Sequence, residues 1–152
     1  MTEPVHFADR LVDGTPDAVV YADAEGVIRK WNLGAARIFG FSQQEAVGQS
    51  LDVIIPASLR ERHWHGYRAT MRTGQSRYGE GQLLSVPAIR KDGARISVEF
   101  TIMPFTDEAG RMIGIAAIMR DVTARFEEVR ALRKQVAALS GDAKPGDRSS
   151  PT

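Results

Sequence analysis

Residues 102–119 read Ile-Met-Pro-Phe-Thr-Asp-Glu-Ala-Gly-Arg-Met-Ile-Gly-Ile-Ala-Ala-Ile-Met. Two apolar runs in this segment flank the turn Asp107-Glu-Ala-Gly110. A glycine close after an acidic residue allows the positive φ angles that tight turns require. The same arrangement recurs at Asp23-Ala-Glu-Gly26 and at Lys91-Asp-Gly93. The chain is therefore predicted to contain three hairpin-like pairs of strands.

The order of the apolar runs indicates the fold class. Two predicted strands come first, a long stretch with helical patterns follows, and three predicted strands come after it. This order predicts an α+β domain in which one antiparallel sheet carries helices on one face. Such a scaffold encloses a pocket but supplies no reaction by itself. The predicted strands cover residues 18–22, 27–31, 83–89, 96–104 and 112–119.

Helix signals occupy the stretch between the second and third strands. Asn32 is a plausible cap for a short helix that Gly40 ends. Ser42 and Glu45 match the capping-box pattern at the start of the next helix. A longer helix is expected from near Ser58 to residue 72, with an apolar face at residues 59, 63, 66, 67, 70 and 71.

The chain is predicted to divide into four parts. Residues 1–13 form a helical lead-in with an apolar stripe, and residues 14–123 form the compact domain. Residues 124–139 form a helix with a coiled-coil-like pattern, and residues 140–152 form a disordered tail, because that tail has no apolar residue larger than Ala or Pro. The helix seam, which Arg125 interrupts, is predicted to be a dimer interface made by Val122, Val129, Leu132, Val136 and Leu139.

Composition limits the function classes. The chain has 152 residues, 20 basic and 19 acidic side chains and a net charge of +1, so nothing in the charge supports nucleic acid binding. No apolar run approaches the ~18 residues of a membrane span, and the first residues do not resemble a signal peptide, so we expect a cytoplasmic protein. The absence of cysteine excludes disulfides, thiolate metal sites and cysteinyl-flavin adducts.

Seven short motifs follow one another along residues 10–123. They are Asp17-Ala-Val-Val, Asp23-Ala-Glu-Gly26, Trp31-Asn32, Ala35-Ala-Arg-Ile-Phe-Gly-Phe41, Glu45-Ala-Val-Gly48, Lys91-Asp-Gly93 and Arg120-Asp-Val-Thr123. Together they resemble a PAS domain of the S-box type. The resemblance implies a five-stranded antiparallel sheet cupped by small helices, a ligand or cofactor cavity, and dimerisation through flanking helices. It also implies a signal junction at Asp121 and Thr123, where the last strand meets an output-coupling helix.

Residues 56–67 are similar to the oxygen-sensing haem PAS domains of the FixL and direct-oxygen-sensor type. The resemblance implies a proximal histidine a few residues before an aromatic residue such as Tyr67. Counting forward from Pro56 selects His63 as the haem iron ligand, whereas counting backward from Tyr67 reaches Trp64. His65 is a weaker candidate. The alternatives are that His63 is a half-buried residue bonded to a carbonyl and that His65 lies on the surface.

Other features leave the cofactor open. The haem domains of this type carry an arginine on a later strand, and residues 82–86 contain none. A noncovalent flavin needs only an apolar slot with a few polar partners, so flavin also stays a possible cofactor.

Trp31 and Trp64 could stack on a planar ligand, although Trp31 is more typical of a core or interface residue. Asp52 is expected to cap a helix or to meet Arg60 rather than to catalyse a reaction.

The sequence therefore predicts a sensory or interaction module of signal transduction or transcription regulation, not an enzyme. Neither a paired acid and base nor a nucleophile with an orienting acid is recognisable. The module is expected to form a homodimer and to bind a small ligand or a partner. It would pass the signal through its C-terminal helix to an output protein in trans, unless the chain is a fragment of a longer one. The alternatives are a haem-based gas or redox sensor with His63 and a noncovalent flavin sensor.

Overall fold

The structure, a computed structural model, describes residues 3–75 and 81–148, with side chains described up to residue 141. Its strands are β1 (Ala18–Asp23), β2 (Ile28–Trp31), β3 (Leu84–Ile89), β4 (Arg95–Thr106) and β5 (Met112–Asp121). Its α-helices are α1 (Phe7–Gly14), α2 (Leu33–Phe39), α3 (Gln43–Ala46), α4 (Arg60–Thr73) and α5 (Thr123–Arg148). Single 3-10 turns cover Leu51–Ile54 and Ala57–Leu59.

The five strands form one antiparallel sheet in the order β2-β1-β5-β4-β3. The predicted α+β class and the five-stranded sheet are confirmed. The last strand in the sequence, β5, lies at the centre of the sheet, because it pairs with β1 on one side and with β4 on the other. Its Ile115 is opposite Ala22 of β1, and its Ala117 is opposite Ile102 of β4.

The core lies between the inner face of the sheet and the short helices that come after β2. Phe39, Ile28 and Val98 are its largest fully buried side chains. Trp31 is also buried, and its Nε1 donates to the carbonyl oxygen of Phe41 at 2.9 Å. Of the expected core and interface positions for Trp31, the structure shows the core position.

Asn32 links three parts of the domain. Its Oδ1 accepts from the backbone N–H of Ala35, which caps α2 as predicted, and from that of Val19 in β1. Its Nδ2 donates to the carbonyl oxygens of Val12 and Asp17. Because an amide side chain has two donor protons and two acceptor lone pairs, these four bonds satisfy the polar capacity of the buried Asn32.

The predicted helix ends agree closely with the structure. Ser42 and Glu45 form the capping box of α3, and Gly40 and Gly74 end α2 and α4 in the left-handed conformation. The turn after β3 is tied to α2, because Nη1 of Arg90 donates to the carbonyl oxygen of Ile38 at 2.6 Å. Within the predicted lead-in, α1 covers Phe7–Gly14, and Val5, Phe7, Leu11 and Val12 are exposed.

The C-terminal helix differs from the prediction. The chain divides at Asp121 into two compact units, and α5 belongs to the second of them. This helix runs from Thr123 to Arg148, so residues 140–148, which were predicted to be disordered, are helical; the rest of the predicted tail lies outside the described residues. Gly141, Pro145 and Gly146 lie in this segment, so the helix continues through residues that normally indicate a helix end.

Most of the predicted dimer seam is solvent-exposed on the single chain. Val129, Leu132, Val136 and Leu139 are each at least 40% exposed, and Val122 is partly buried. An exposed apolar seam is compatible with pairing to a second helix, but the pairing itself stays a prediction. Over residues 3–75 and 81–148, no helix has both the length and the hydropathy that crossing a bilayer requires.

Candidate functional site

A cavity of about 210 Å³ lies between the inner face of the sheet and α4. Its wall comes from β1, β3, β4 and β5, from α4 and from the segment that precedes α4. The wall is almost entirely apolar, and on β1, β4 and β5 the lining residues alternate along the strand. Its larger aliphatic members include Val20, Ile54, Ile55, Val98, Ile102 and Ile115.

Helix α4 contributes the polar atoms of the cavity. His63, Gly66, Tyr67 and Thr70 all line it, and their spacing of three, four and seven residues places them on one helix face. These four residues belong to the predicted inward face of α4, and Tyr67 and Thr70 are buried there. The structure thus brings His63 and Tyr67 to the same cavity.

The hydroxyl protons of Tyr67 and Thr70 are already engaged with the backbone. The Tyr67 hydroxyl lies 2.6 Å from the carbonyl oxygen of Asp23 and 3.3 Å from that of Ala22. The Thr70 hydroxyl donates to the carbonyl oxygen of Gly66 at 3.0 Å. Burial raises the pKa of Tyr67 well above its usual value, with a smaller contribution from the Asp23 charge, so this phenol stays protonated.

His63 is the exception. Its Nδ1 is the single buried side-chain nitrogen or oxygen without a hydrogen-bond partner in the described part of the chain. The interpretation that this histidine bonds a carbonyl is not supported at Nδ1. Burial lowers the pKa of His63, and the Asp52 charge opposes this effect only in part, so the ring is neutral at neutral pH.

Two aromatic rings hold the imidazole in place. The Trp64 ring meets it edge to face with centroids 4.6 Å apart, and the Tyr67 ring lies 5.7 Å away. Trp64 is itself fixed, because its Nε1 donates to Oδ1 of Asp52 at 2.7 Å and its ring packs on Gly26. Trp64 is therefore part of the support of His63, and it does not line the cavity as a stacking platform.

The other predicted residues fall outside the cavity. His65 is exposed on α4, in agreement with the surface alternative. Asp52 lies 3.9 Å from Arg60, as expected, and its bond to Trp64 is an addition that the sequence did not reveal. Asp121 is the last residue of β5 and Thr123 is the first of α5, so the predicted junction coincides with the end of the sheet.

Sequence reasoning identified only the helical part of the cavity and missed its strand part. The alternation of Ile96, Val98, Phe100 and Ile102 along β4 was a usable signal, since such residues point to one face of a strand. The contribution of Ile54 and Ile55 was less accessible. Ile54 ends a 3-10 turn and Ile55 follows it. No simple periodicity predicts which side chains of such a segment face the core.

The chemistry of His63 fits a haem ligand, but the cavity around this residue does not fit a complete haem. A neutral imidazole in an apolar wall is what an axial ligand requires. The volume of about 210 Å³, however, is below the ~300–1,000 Å³ that is typical of ligand pockets. Among residues 3–75 and 81–141, no arginine or lysine lines the cavity to pair with propionates. A macrocycle would therefore require the walls to move apart.

Comparison with known proteins identifies several relatives. An uncharacterized protein of Azorhizobium caulinodans is 31% identical over 125 residues, 82% of this chain and 17% of that protein. The sensor protein FixL of Bradyrhizobium diazoefficiens is 29% identical over 131 residues, 82% of this chain and 25% of that protein. The oxygen sensor protein DosP of Escherichia coli is 25% identical over 109 residues, 72% of this chain and 13% of that protein. The chain thus spans a quarter or less of the length of these relatives.

The fold comparison agrees with these matches. The PAS domain of a protein from Colwellia psychrerythraea superimposes with a TM-score of 0.68 at 23% identity, covering 79% of this chain and 98% of that one. The family model described as the PAS fold matches residues 12–127. The chain belongs to the PAS family of sensory domains.

Proposed function

We propose that this PAS domain detects a small, largely apolar molecule in the cavity between the sheet and α4. The observation that carries the proposal is an apolar cavity of about 210 Å³ to which α4 contributes His63, Tyr67 and Thr70. An apolar wall favours transfer of an apolar molecule out of water, and a few polar groups fix its orientation. The relationship to sensor proteins supports a sensory role.

The signal would leave the cavity through β5. Ile115, Ala117 and Met119 of β5 line the cavity, and the strand ends at Asp121, just before α5 begins at Thr123. A ligand that favours one arrangement of β5 shifts the equilibrium between two arrangements of the helix after it. We propose that α5 pairs with a second copy through its seam and relays the change to an output partner in a cytoplasmic signalling pathway.

Mass spectrometry of the purified protein under native conditions tests the proposal. A bound molecule of low mass that is lost on denaturation, and that raises the unfolding temperature when it is added back, is the expected result. A chain that carries no such molecule, and that no low-mass compound from a cell extract stabilises, would contradict ligand sensing.

A haem-based sensor with His63 as the proximal ligand is the second candidate. The neutral, unpaired imidazole of His63 and the relationship to an oxygen sensor protein favour it. Haem would supply the binding of a diatomic gas, and this chain would hold the iron through His63 in an apolar wall. A Soret band that is absent in His63→Ala but kept in His65→Ala would support it, and flavin absorbance would favour the noncovalent flavin alternative.

A further inference from the structure

The cavity also indicates the route by which a ligand enters, an inference that rests on the proposed function. The cavity is not fully enclosed, because part of it opens to solvent. We propose that ligands enter between α4 and β3, through an opening bordered by Gly66 and Val86. Gly66 is the size-determining residue of this opening, because its missing side chain keeps the opening wide.

Two of the residues that line the cavity are exposed to solvent. One is Gly66 of α4, and the other is Val86 of β3, which is 39% exposed. The other lining residues in the described part of the chain are buried or half-buried. A residue that lines a cavity and is also reached by solvent lies where that cavity opens. The opening is therefore assigned to the side of Gly66 and Val86.

Val86 is exposed although it belongs to the inner face of the sheet. It lies opposite Val98 of β4, which is 1% exposed and lines the cavity, and directly opposite residues share one face of a sheet. Strand β3 is an edge strand, so a side chain on it has a neighbouring strand on one side only. Over residues 3–75 and 81–141, the inner face is therefore incompletely covered at Val86.

The Gly66 position faces away from the β1–β2 turn. Because successive helix residues are rotated by about 100°, Gly66 is about 100° from Tyr67 and about 160° from Trp64 around the axis of α4. Tyr67 bonds the carbonyl oxygen of Asp23 at the end of β1, and Trp64 packs on Gly26 in the turn. Strands β1 and β3 lie on opposite sides of β5 in the sheet. The Gly66 position is thus directed towards the half of the sheet that contains β3.

Gly66 leaves its side of the opening free of side-chain atoms. In the described part of the chain, a Cβ at this position would have no atom within 4 Å beyond its chain neighbours and its own helix backbone. Glycine inside a helix is less favourable than alanine or leucine, so a larger residue here is compatible with α4. Side-chain size at Gly66 consequently changes access to the cavity without a change of fold.

Thiol labelling measures access to the cavity without knowledge of the ligand. The chain has no cysteine, so Ala117→Cys, on the part of β5 that lines the cavity, introduces a single thiol. The reagents are methyl and benzyl methanethiosulfonate, which are neutral, differ in size and release the same leaving group. Both should label the folded Ala117→Cys protein, the methyl reagent faster, because the rate depends on access to the thiol. A thiol that reacts with neither reagent would overturn the inference.

Further substitutions in the Ala117→Cys protein locate the opening. Gly66→Leu should slow the methyl reagent about tenfold, and the benzyl reagent more, because the new side chain narrows the opening. Val86→Phe narrows the opening from the opposite side and should slow both reagents in the same order. Gly66→Ala controls for the stability of α4 and should slow labelling less than Gly66→Leu. His65→Leu places the same leucine on an exposed position of α4 and should keep the rates unchanged.

The results distinguish this inference from the proposed function. Equal rates in Gly66→Leu and His65→Leu, with Val86→Phe also unchanged, would overturn the opening at Gly66 and leave ligand sensing intact. If Gly66→Ala slows labelling as much as Gly66→Leu does, labelling follows unfolding of α4 and not passage beside Gly66, which also overturns the inference. A protein that native mass spectrometry finds unable to hold any ligand would contradict the proposed function, whatever the labelling rates.

Discussion

His63 combines two properties that rarely occur together, a buried nitrogen without a partner and a ring packed against aromatic neighbours. An unpaired buried polar atom destabilises a folded domain, because no hydrogen bond compensates for its loss of contact with water. The histidine could be selected from the sequence as a candidate. The unpaired state of Nδ1 could not be predicted from the sequence. It depends on the arrangement of the neighbouring rings, in which Tyr67 donates to Asp23 and Trp64 donates to Asp52.

The lowered pKa of His63 predicts a pH dependence of stability. Because the folded pKa is below the unfolded value of about 6.5, the unfolded chain takes up a proton first as the pH falls. The free energy of unfolding should therefore decrease between about pH 7.5 and about pH 5.5. Urea unfolding at the two pH values measures the loss, which should be smaller in His63→Leu. A loss that is equal in His63→Leu and in the control His65→Leu would contradict this assignment.

Asn32 is predicted to contribute more to the free energy of unfolding than an ordinary helix cap does. Asn32→Ala removes four hydrogen bonds in a buried position and should lower the free energy of unfolding by about 3 kcal/mol. Ser42→Ala removes an exposed cap and should cost about 1 kcal/mol. Chemical denaturation compares the two variants, and equal losses would argue against the buried network.

At the scale of the elements, helix α4 joins the cavity to the end of β1 and to the β1–β2 turn. Tyr67 bonds the end of β1, Arg60 donates to the carbonyl oxygen of Ile55, and Trp64 packs on the β1–β2 turn. Turn and cap residues predicted the ends of most elements well, since their effect is local. The extension of α5 beyond residue 139 was not predictable in this way, because Gly141, Pro145 and Gly146 are local signals against a helix.

Two glycines near α4 should respond in opposite ways to the same substitution. Gly66 lies inside the helix with open space where a Cβ would be, so Gly66→Ala should raise the free energy of unfolding by up to about 1 kcal/mol. Gly26 has a φ of 81°, and a Cβ there would lie 2.1 Å from the Trp64 ring. Gly26→Ala should therefore lower the free energy of unfolding by about 2 kcal/mol or more.

Thermal and urea unfolding of the two variants provide the measurement. A stabilised Gly26→Ala variant would mean that Trp64 does not pack on the turn as described. A strongly destabilised Gly66→Ala variant would mean that the space beside Gly66 is filled by another group. Because both variants add one methyl group, the comparison controls for the change in side-chain size.

At the scale of the whole molecule, the sheet ends where the C-terminal helix begins. The order of strands and helices predicted the α+β class, and seven short motifs carried the resemblance to a PAS domain, because turns and caps are encoded locally. The cavity was predictable as a feature of the fold, but its size and the unpaired state of one lining nitrogen were not. Those properties arise from side chains that are distant in sequence, such as Ile54, His63 and Ile115.

The seam of α5 predicts dimerisation. Leu132 is 53% exposed, and replacing it with a charge in Leu132→Glu should weaken self-association at least tenfold, since a seam position tolerates a lone carboxylate poorly. Ala131→Glu introduces the same charge outside the seam and should leave association unchanged. Sedimentation velocity over a dilution series measures both variants. A wild type that stays monomeric at every concentration would contradict the seam.

The most direct test of ligand sensing in the cavity is a methyl NMR titration of isoleucine-labelled protein with 4-methylphenol. The methyl signals of Ile54, Ile102 and Ile115, which line the cavity, should shift together and saturate. Those of Ile113 and Ile118, which are exposed on β5, should shift little. Saturating shifts confined to Ile113 and Ile118, or no shifts at any concentration of the probe, would contradict the assignment of the cavity as its binding site.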